Sequence, residues 1–253
     1  MCKDILSPSF DFMVPEGWED LSEKQLRSLY RIMAVATNRN EAKLLFLFRI
    51  NRIQVIGRQP DGRYLLKEGT LFFQISPLRL ADVCVSLDWM DSFPKKPVRF
   101  SRIGMRKAKA PDLEDTSFED WLILDNLYQG FIQTRDDSIL DDMSEALYGR
   151  RMNLSEVECL SVFFWMASVK ALFARRWPNF LRPDQPQAEG SGPEPLAAPQ
   201  QSAQEAYLTQ IRALTKGDLT KRDRILALPC HVALAELDAL AREYEEFNSK
   251  HKS

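Results

Sequence analysis

The stretch that decides the fold is LSEVECLSVFFWMASVKALFARRW, residues 154–177. It is the most apolar helix candidate in the chain, but its longest unbroken apolar run covers only residues 162–167. Charged residues interrupt both flanks, whereas a membrane span needs about 20 mostly apolar residues. The pattern therefore predicts a central helix buried in the core of a folded protein, with no membrane association.

Length and composition bound the class of protein. The chain has 253 residues, of which 45% are hydrophobic and 28% charged, enough for one core of ordinary size and an appended module. The formal net charge of −2 argues against a surface that matches DNA, RNA or anionic lipid as a whole. The first residues, MCKDILSPSFDF, lack the apolar run of a signal peptide, so we expect no export.

The first hundred residues carry the strand signals. Alternation at Phe10–Val14 predicts a short strand, and Ser22 followed by Gln25 resembles a capping box that starts the first helix. Further strand candidates lie on either side of the turn sequence PDGR at residues 60–63 and again at Leu71–Ile75. These segments predict a small antiparallel sheet.

Helical spacing dominates the rest of the chain. It predicts helices at Leu78–Met90, Phe118–Thr134 and Ser138–Tyr148, before the central helix. Residues 182–203 are rich in Pro, Gln and Gly and predict a linker between a main domain at 1–181 and a helical module at 204–253. The predicted fold class is α+β and predominantly helical, with a small antiparallel sheet in the N-terminal part and a C-terminal helical module.

The C-terminal module has an apolar face but few residues with which to build a core. Helices of about a dozen residues are marginal alone, so the module should dock on the main domain or bind a partner. The residues that we expect to bind a partner share one face of the last helix. They are Leu237, Leu240, Tyr244 and Phe247.

Charge is segregated in the middle of the chain. Residues 95–109 contain seven basic and no acidic residues, and the following segment to Glu145 is strongly acidic. The two blocks could pair within the fold or between copies, or the basic run could be a solvated loop. The third alternative is a contact with a polyanion such as nucleic acid. Its candidate residues are Arg102, Arg106 and Lys107.

No sequence feature indicates a reaction or a cofactor. His231 and His251 are the only histidines, and the four cysteines form no C-x-x-C pair. Three carboxylates at i, i+4 and i+8, Asp137, Asp141 and Glu145, supply too few converging ligands for a cation from a single helix. Phosphate-binding glycine loops and nucleophile-elbow sequences are absent. We therefore predict no catalytic residue, no metal and no cofactor.

Several phrases carry a resemblance to a known group of proteins. They include LFRINRIQVI at residues 47–56, DNLYQGFIQTRDDSILDDMSEALYG at 125–149, SVFFWMASVKALFARRWPNF at 161–180 and LTKGDLTKRDRILAL at 214–228. Together they resemble a family of uncharacterised proteins encoded in bacteriophages and prophages near tail genes. The resemblance implies a role in phage morphogenesis, similar to that of tail assembly chaperones, which are mostly helical and bind the tape-measure protein.

The expected function is non-catalytic protein binding in phage virion assembly, as a tail assembly chaperone or adaptor in the cytoplasm of the bacterial host. The expected partner is a tape-measure-like tail protein, and self-association is also consistent with the pattern. The alternatives are a nucleic-acid-associated phage protein that uses residues 95–109 and a minor structural component of the virion.

Overall fold

The computed structural model describes residues 10–181 and 203–251. Almost all of the predicted linker at 182–203 therefore lies outside the described residues, and the predicted domain limits stay predictions. The chain divides into two compact units, Met1–Pro94 and Lys95–Ser253. Both combine helices with short antiparallel strands, so the predicted α+β, mostly helical class with a small N-terminal sheet is confirmed.

Unit 1 consists of helices packed beside a three-stranded sheet. Its helices are α1 (Glu23–Val35), α2 (Arg39–Ile50) and α3 (Pro77–Val85), and its strands are β1 (Ile53–Arg58), β2 (Tyr64–Glu68) and β3 (Leu71–Ile75). Short 3-10 turns lie at Trp18–Asp20 and Asp88–Asp91. The predicted capping box is present at the start of α1, where the Ser22 and Gln25 side chains each accept the other's backbone N–H at 3.3 and 2.9 Å.

The sheet is an antiparallel meander in the order β1, β2, β3, as the sequence predicts. Leu66 on the central strand pairs with Phe73, and both are buried, because alternate residues of each strand face the core. Gly62 has φ 85 within the predicted turn, a conformation that favours glycine. A bulge between Val55 and Gly57 leaves Ile56 without a partner in the register.

The predicted strand at Phe10–Val14 is wrong. The alternation is real, since Phe10 stacks on Phe73 with ring centroids 4.4 Å apart. The backbone of Met13, however, exchanges two hydrogen bonds of 2.8 and 2.9 Å with the Asn51 side chain. A side-chain amide satisfies the peptide groups in place of a neighbouring strand, so the segment is extended but is not part of the sheet.

The helix predicted at Leu78–Met90 is shorter than its periodicity indicates. It ends at Val85, and the chain continues as the 3-10 turn at Asp88–Asp91. This turn presents two carboxylates to the buried ammonium of Lys43, with Nζ 2.5 Å from Asp88 and 2.6 Å from Asp91. Burial lowers the pKa of Lys43, but the hydrogen bonds and charges of the two carboxylates outweigh burial and leave the pKa raised.

Unit 2 contains the helices of the acidic block, the central helix and the C-terminal helices. A hairpin comes first, with β4 (Arg102–Ile103) and β5 (Arg106–Lys107). The helices that follow are α4 (Phe118–Thr134), α5 (Ser138–Tyr148), α6 (Glu156–Arg176), α7 (Ala203–Thr215), α8 (Arg222–Leu226) and α9 (Cys230–His251). A 3-10 turn at Leu219–Lys221 precedes α8. The predicted bounds of α4 and α5 are confirmed.

Helix α6 is the buried central helix that the sequence predicts. Val162, Trp165, Met166, Val169 and Phe173 are fully buried in unit 2. The indole Nε1 of Trp165 donates to the carbonyl of Pro111 at 2.7 Å, which satisfies its only polar group. Helix α6 is long and apolar enough to cross a membrane, but core helices of soluble proteins can be equally long and apolar. Half of its most apolar stretch is buried inside the protein.

Candidate functional site

Helix α9 carries the residues that the sequence predicts as a partner-binding face, and the structure divides them. Leu237 is buried with 3% exposure, and Leu240 is half-buried. Tyr244 and Phe247 are 68% and 60% exposed. All four lie on one stripe of the helix, because they follow each other at three- and four-residue spacing. The stripe therefore begins inside unit 2 and runs out onto its surface.

Backbone hydrogen bonds hold the start of α9 against the region before α4. The amide of Phe118 donates to Leu228 at 2.7 Å, and the amide of Cys230 donates to Thr116 at 2.9 Å. Ala233 and Leu234 are fully buried next to this junction. The C-terminal helices thus dock within their own unit, where α7, α8 and α9 all pack on α4.

Asp238 anchors the middle of α9. Its carboxylate accepts three hydrogen bonds of 2.8 to 3.0 Å from the backbone and side chain of Asn179 and the backbone of Phe180. Burial raises the pKa of Asp238, but these hydrogen bonds and the charge of Arg242 outweigh burial and hold the pKa below its usual range. The anchor fixes α9 to the turn that follows α6.

Beyond Asp238, helix α9 has no buried residue among those that the structure describes. Residues 241–251 span about 16 Å at 1.5 Å per residue, and Tyr244 and Phe247 are the two large apolar side chains on this stretch. Charged residues, three acidic and two basic, flank them: Arg242, Glu243, Glu245, Glu246 and Lys250. An exposed pair of aromatic residues with charged flanks is typical of a helix that packs against another helix.

The candidate polyanion residues lie together on the hairpin of β4 and β5. Arg102 pairs with Lys107 and Ile103 with Arg106, so the three cations sit within one two-stranded turn. Gly104 begins the two-residue loop with φ 55, as such hairpins require, and Met105 at its tip is 94% exposed. Arg102, Arg106 and Lys107 are exposed, and their binding of a polyanion stays a prediction.

An ion pair joins the end of the basic block to the acidic block that follows it. Lys109 Nζ lies 3.0 Å from a carboxylate oxygen of Asp120. The hairpin cations Arg106 and Lys107 make no ion pair within residues 10–181 and 203–251. The predicted pairing of the two blocks within the fold is therefore present at the end of the basic segment.

The partners of His231 fix its tautomer. Its Nε2 lies 2.8 Å from the carbonyl oxygen of Asp112, which can only accept, so Nε2 carries the proton. Its Nδ1 lies 2.8 Å from the guanidinium of Arg176, which can only donate, so Nδ1 accepts. The ring also packs edge-on against Phe173 and Trp177. Both ring nitrogens of His231 are thus engaged in structural contacts.

Cys230 and Asp141 also make structural contacts. The Cys230 thiol donates to the carbonyl of Leu113 at 3.3 Å, and burial raises its pKa to about 12. Asp141, one of the three aligned carboxylates, accepts the backbone N–H of Leu154 at 2.8 Å. Among the described residues, no group of three or more His, Cys, Asp or Glu side chains could hold a metal ion.

Comparisons with protein-family models, with curated proteins and with solved structures give no match for this chain.

Proposed function

We propose that this protein is a non-catalytic protein-binding factor of phage virion assembly, of the tail assembly chaperone or adaptor type. The phage assignment rests on the sequence resemblance. The binding role rests on one observation of the structure, which is that the apolar stripe of α9 continues past the buried Leu237 to Tyr244 and Phe247, whose side chains are largely exposed. These two residues are three apart, so they form one contact patch on the helix.

The proposed partner is a long helical tail protein. An apolar stripe on a helix fits the groove between helices of a partner, where aromatic side chains contribute most of the binding energy. The anchored first half of α9 holds this patch in place, which lowers the entropy that is lost on binding. Leu240 lies between the anchored and exposed parts and would become covered at the edge of the interface.

Affinity purification of the full-length protein from host cells that produce phage particles tests the proposal. We expect the wild-type chain to retain a long helical tail protein, identified by mass spectrometry, and Tyr244→Asp to lose it. Leu208→Asp is the matched control, because it places the same charge on an exposed leucine of α7. Retention of the partner by Tyr244→Asp, or equal loss with Leu208→Asp, would contradict the assignment of this patch.

Two further measurements distinguish the proposed role from self-association and from a structural role in the virion. Light scattering of the purified protein at increasing concentration detects a dimer, and a dimer lost in Tyr244→Asp would make a second copy the partner. Mass spectrometry of purified particles distinguishes a chaperone, which should be absent, from a minor structural component of the virion, which should be present.

A further inference from the structure

Unit 1 contains a pocket with a strongly positive lining. Its volume is about 680 Å³, and it lies between α1 and the junction of α2 with β1. Lys24, Arg31, Arg49 and Arg52 line it, and no acidic side chain of the described residues does. Ser28 and Gln54 add neutral hydrogen-bonding groups. Such a lining carries four positive charges in a chain whose net charge is −2.

Two separate segments supply these cations. Lys24 and Arg31 are seven residues apart on α1, which is two helical turns, so both point from the same face. Arg49 lies in the last turn of α2, and Arg52 lies just beyond it. All four are exposed, and none makes an ion pair in the part of the chain that the structure describes. Their charges are thus available to a ligand.

The position of Lys24 is not explained by helix stability. A cation in the last turn of a helix, such as Arg49, is stabilised by the helix dipole. Lys24 is the second residue of α1, where the dipole favours an anion. An anion bound in the pocket would meet both the Lys24 ammonium and the positive end of α1.

Arg52 occupies a backbone conformation that favours glycine. Its φ is 54, in the left-handed region that commonly follows a helix end. Glycine or asparagine is the usual residue at such a position, because a larger side chain is strained there. The chain thus has an arginine beside the pocket, although glycine at this position would relieve the backbone strain.

We propose that this pocket binds an anion that carries two or more phosphate groups in a row. Guanidinium groups bind phosphate oxygens in a bidentate manner, and three of the four cations are arginines. The volume lies within the range of small-ligand pockets and leaves room for several phosphates. The phosphates could belong to a free oligophosphate or to the backbone of a single-stranded nucleic acid, which share this chemistry.

Titration of the full-length protein with two probes tests the proposal. The first is inorganic tripolyphosphate, measured by calorimetry, and the second is a labelled single-stranded oligonucleotide of mixed sequence, measured by anisotropy. Binding of tripolyphosphate alone assigns the pocket to a small oligophosphate. Binding of the oligonucleotide that tripolyphosphate displaces assigns it to a nucleic-acid backbone. Binding of neither probe at 50 mM salt would overturn the proposal.

Substitutions locate the binding to this pocket. Arg49→Gln combined with Arg52→Gly should weaken binding about tenfold, and the salt dependence should fall by about one unit of slope for each contact removed. Arg79→Gln is the control, since Arg79 is an exposed cation of unit 1 outside the pocket. Arg52→Gly alone should weaken binding without lowering the thermal unfolding midpoint, because glycine suits its backbone conformation.

The hairpin cations provide the contrasting result. Combined substitution of Arg102, Arg106 and Lys107 by Gln removes the predicted hairpin contact and should leave binding of tripolyphosphate to the pocket unchanged. Loss of binding in that variant, with unchanged binding in Arg49→Gln/Arg52→Gly, would assign the phosphates to the hairpin and overturn the pocket. Neither result depends on the proposed role of α9.

Discussion

The two halves of helix α9 have the same apolar spacing and opposite environments. Leu237 in the first half is buried, whereas Tyr244, seven residues later on the same stripe, is 68% exposed. The first half meets α4 and the turn after α6, and the second half has no buried residue among those that the structure describes. An apolar stripe thus shows that a helix face packs against something, but it does not show where the chain's own core ends.

The largest expected difference between the halves is in stability. Leu237→Ala should lower the free energy of unfolding by about 2–5 kcal/mol, because it leaves a cavity in the packed part of α9. Urea denaturation followed by tryptophan fluorescence measures the change, since Trp121, Trp165 and Trp177 lie in unit 2.

The control for this prediction is Tyr244→Ala, which should change the free energy of unfolding by no more than about 0.5 kcal/mol. Equal destabilisation by Leu237→Ala and Tyr244→Ala would remove the distinction between the two halves. Because Leu237 is buried, Leu237→Asp would unfold this region and abolish any interaction, so partner binding is tested at Tyr244 instead.

A smaller effect is expected at the boundary between the halves. Asp238→Ala removes three hydrogen bonds to a charged acceptor and should lower the free energy of unfolding by about 1–2 kcal/mol. The expected loss is modest for a charged acceptor because the carboxylate is only half-buried and is screened by solvent. The folded-state pKa of Asp238 lies below its ordinary value of 3.8. Its contribution is therefore present above about pH 3.8 and is lost as the pH falls further.

Comparison of wild type with Asp238→Ala over a pH series checks this point. The difference in stability should be largest near neutral pH and should shrink as the carboxylate is protonated. A difference that stays constant down to pH 2 would show that the aspartate acts through packing and not through its charge.

At pH 9 and below, the smallest expected effect concerns Cys230 at the buried start of the anchored half. Burial raises the pKa of Cys230 from 9.0 to about 12, so at pH 9 the folded chain keeps a thiol proton that about half of the unfolded chains have lost. Stability should therefore decline as the pH rises from 9 towards 12. Cys230→Ala should decline less over the same range.

Alkylation measures the same property more directly. At pH 9, iodoacetamide should modify Cys230 about two orders of magnitude more slowly in the folded protein than in urea, as judged by peptide mass spectrometry. Cys84 is half-buried and serves as the internal comparison. Rapid modification of Cys230 in the native state would show that the anchored half opens readily.

Local sequence signals were sufficient for most elements of the fold. The bounds of α4 and α5, the capping box of α1 and the three strands all follow from spacing, caps and turn residues within a short window. The segment at Phe10–Val14 shows the limit of this reasoning. Its alternation is satisfied by stacking on Phe73 and by hydrogen bonds to Asn51, and both residues are distant in sequence.

The candidate sites needed contacts that no local pattern contains. The basic pocket combines Lys24 and Arg31 with Arg49 and Arg52. No local sequence pattern identifies it, because neither pair forms a run of charge. The seven-residue spacing of Lys24 and Arg31 is the local signal that could have indicated a shared helix face. The basic run at 95–109 does form a local charge pattern, and part of it folds into a hairpin whose two-residue loop begins at Gly104.

The amino-acid sequence alone determined the class of fold, the central buried helix and the apolar stripe of α9, since each depends on the period of neighbouring side chains along one element. Only the tertiary structure decided that the stripe is covered as far as Leu237 and open at Tyr244, and that four cations from two segments share one pocket. Those outcomes depend on which residues far apart in the sequence come into contact. Helical or strand periodicity reports only the faces of one element and carries no information about such contacts.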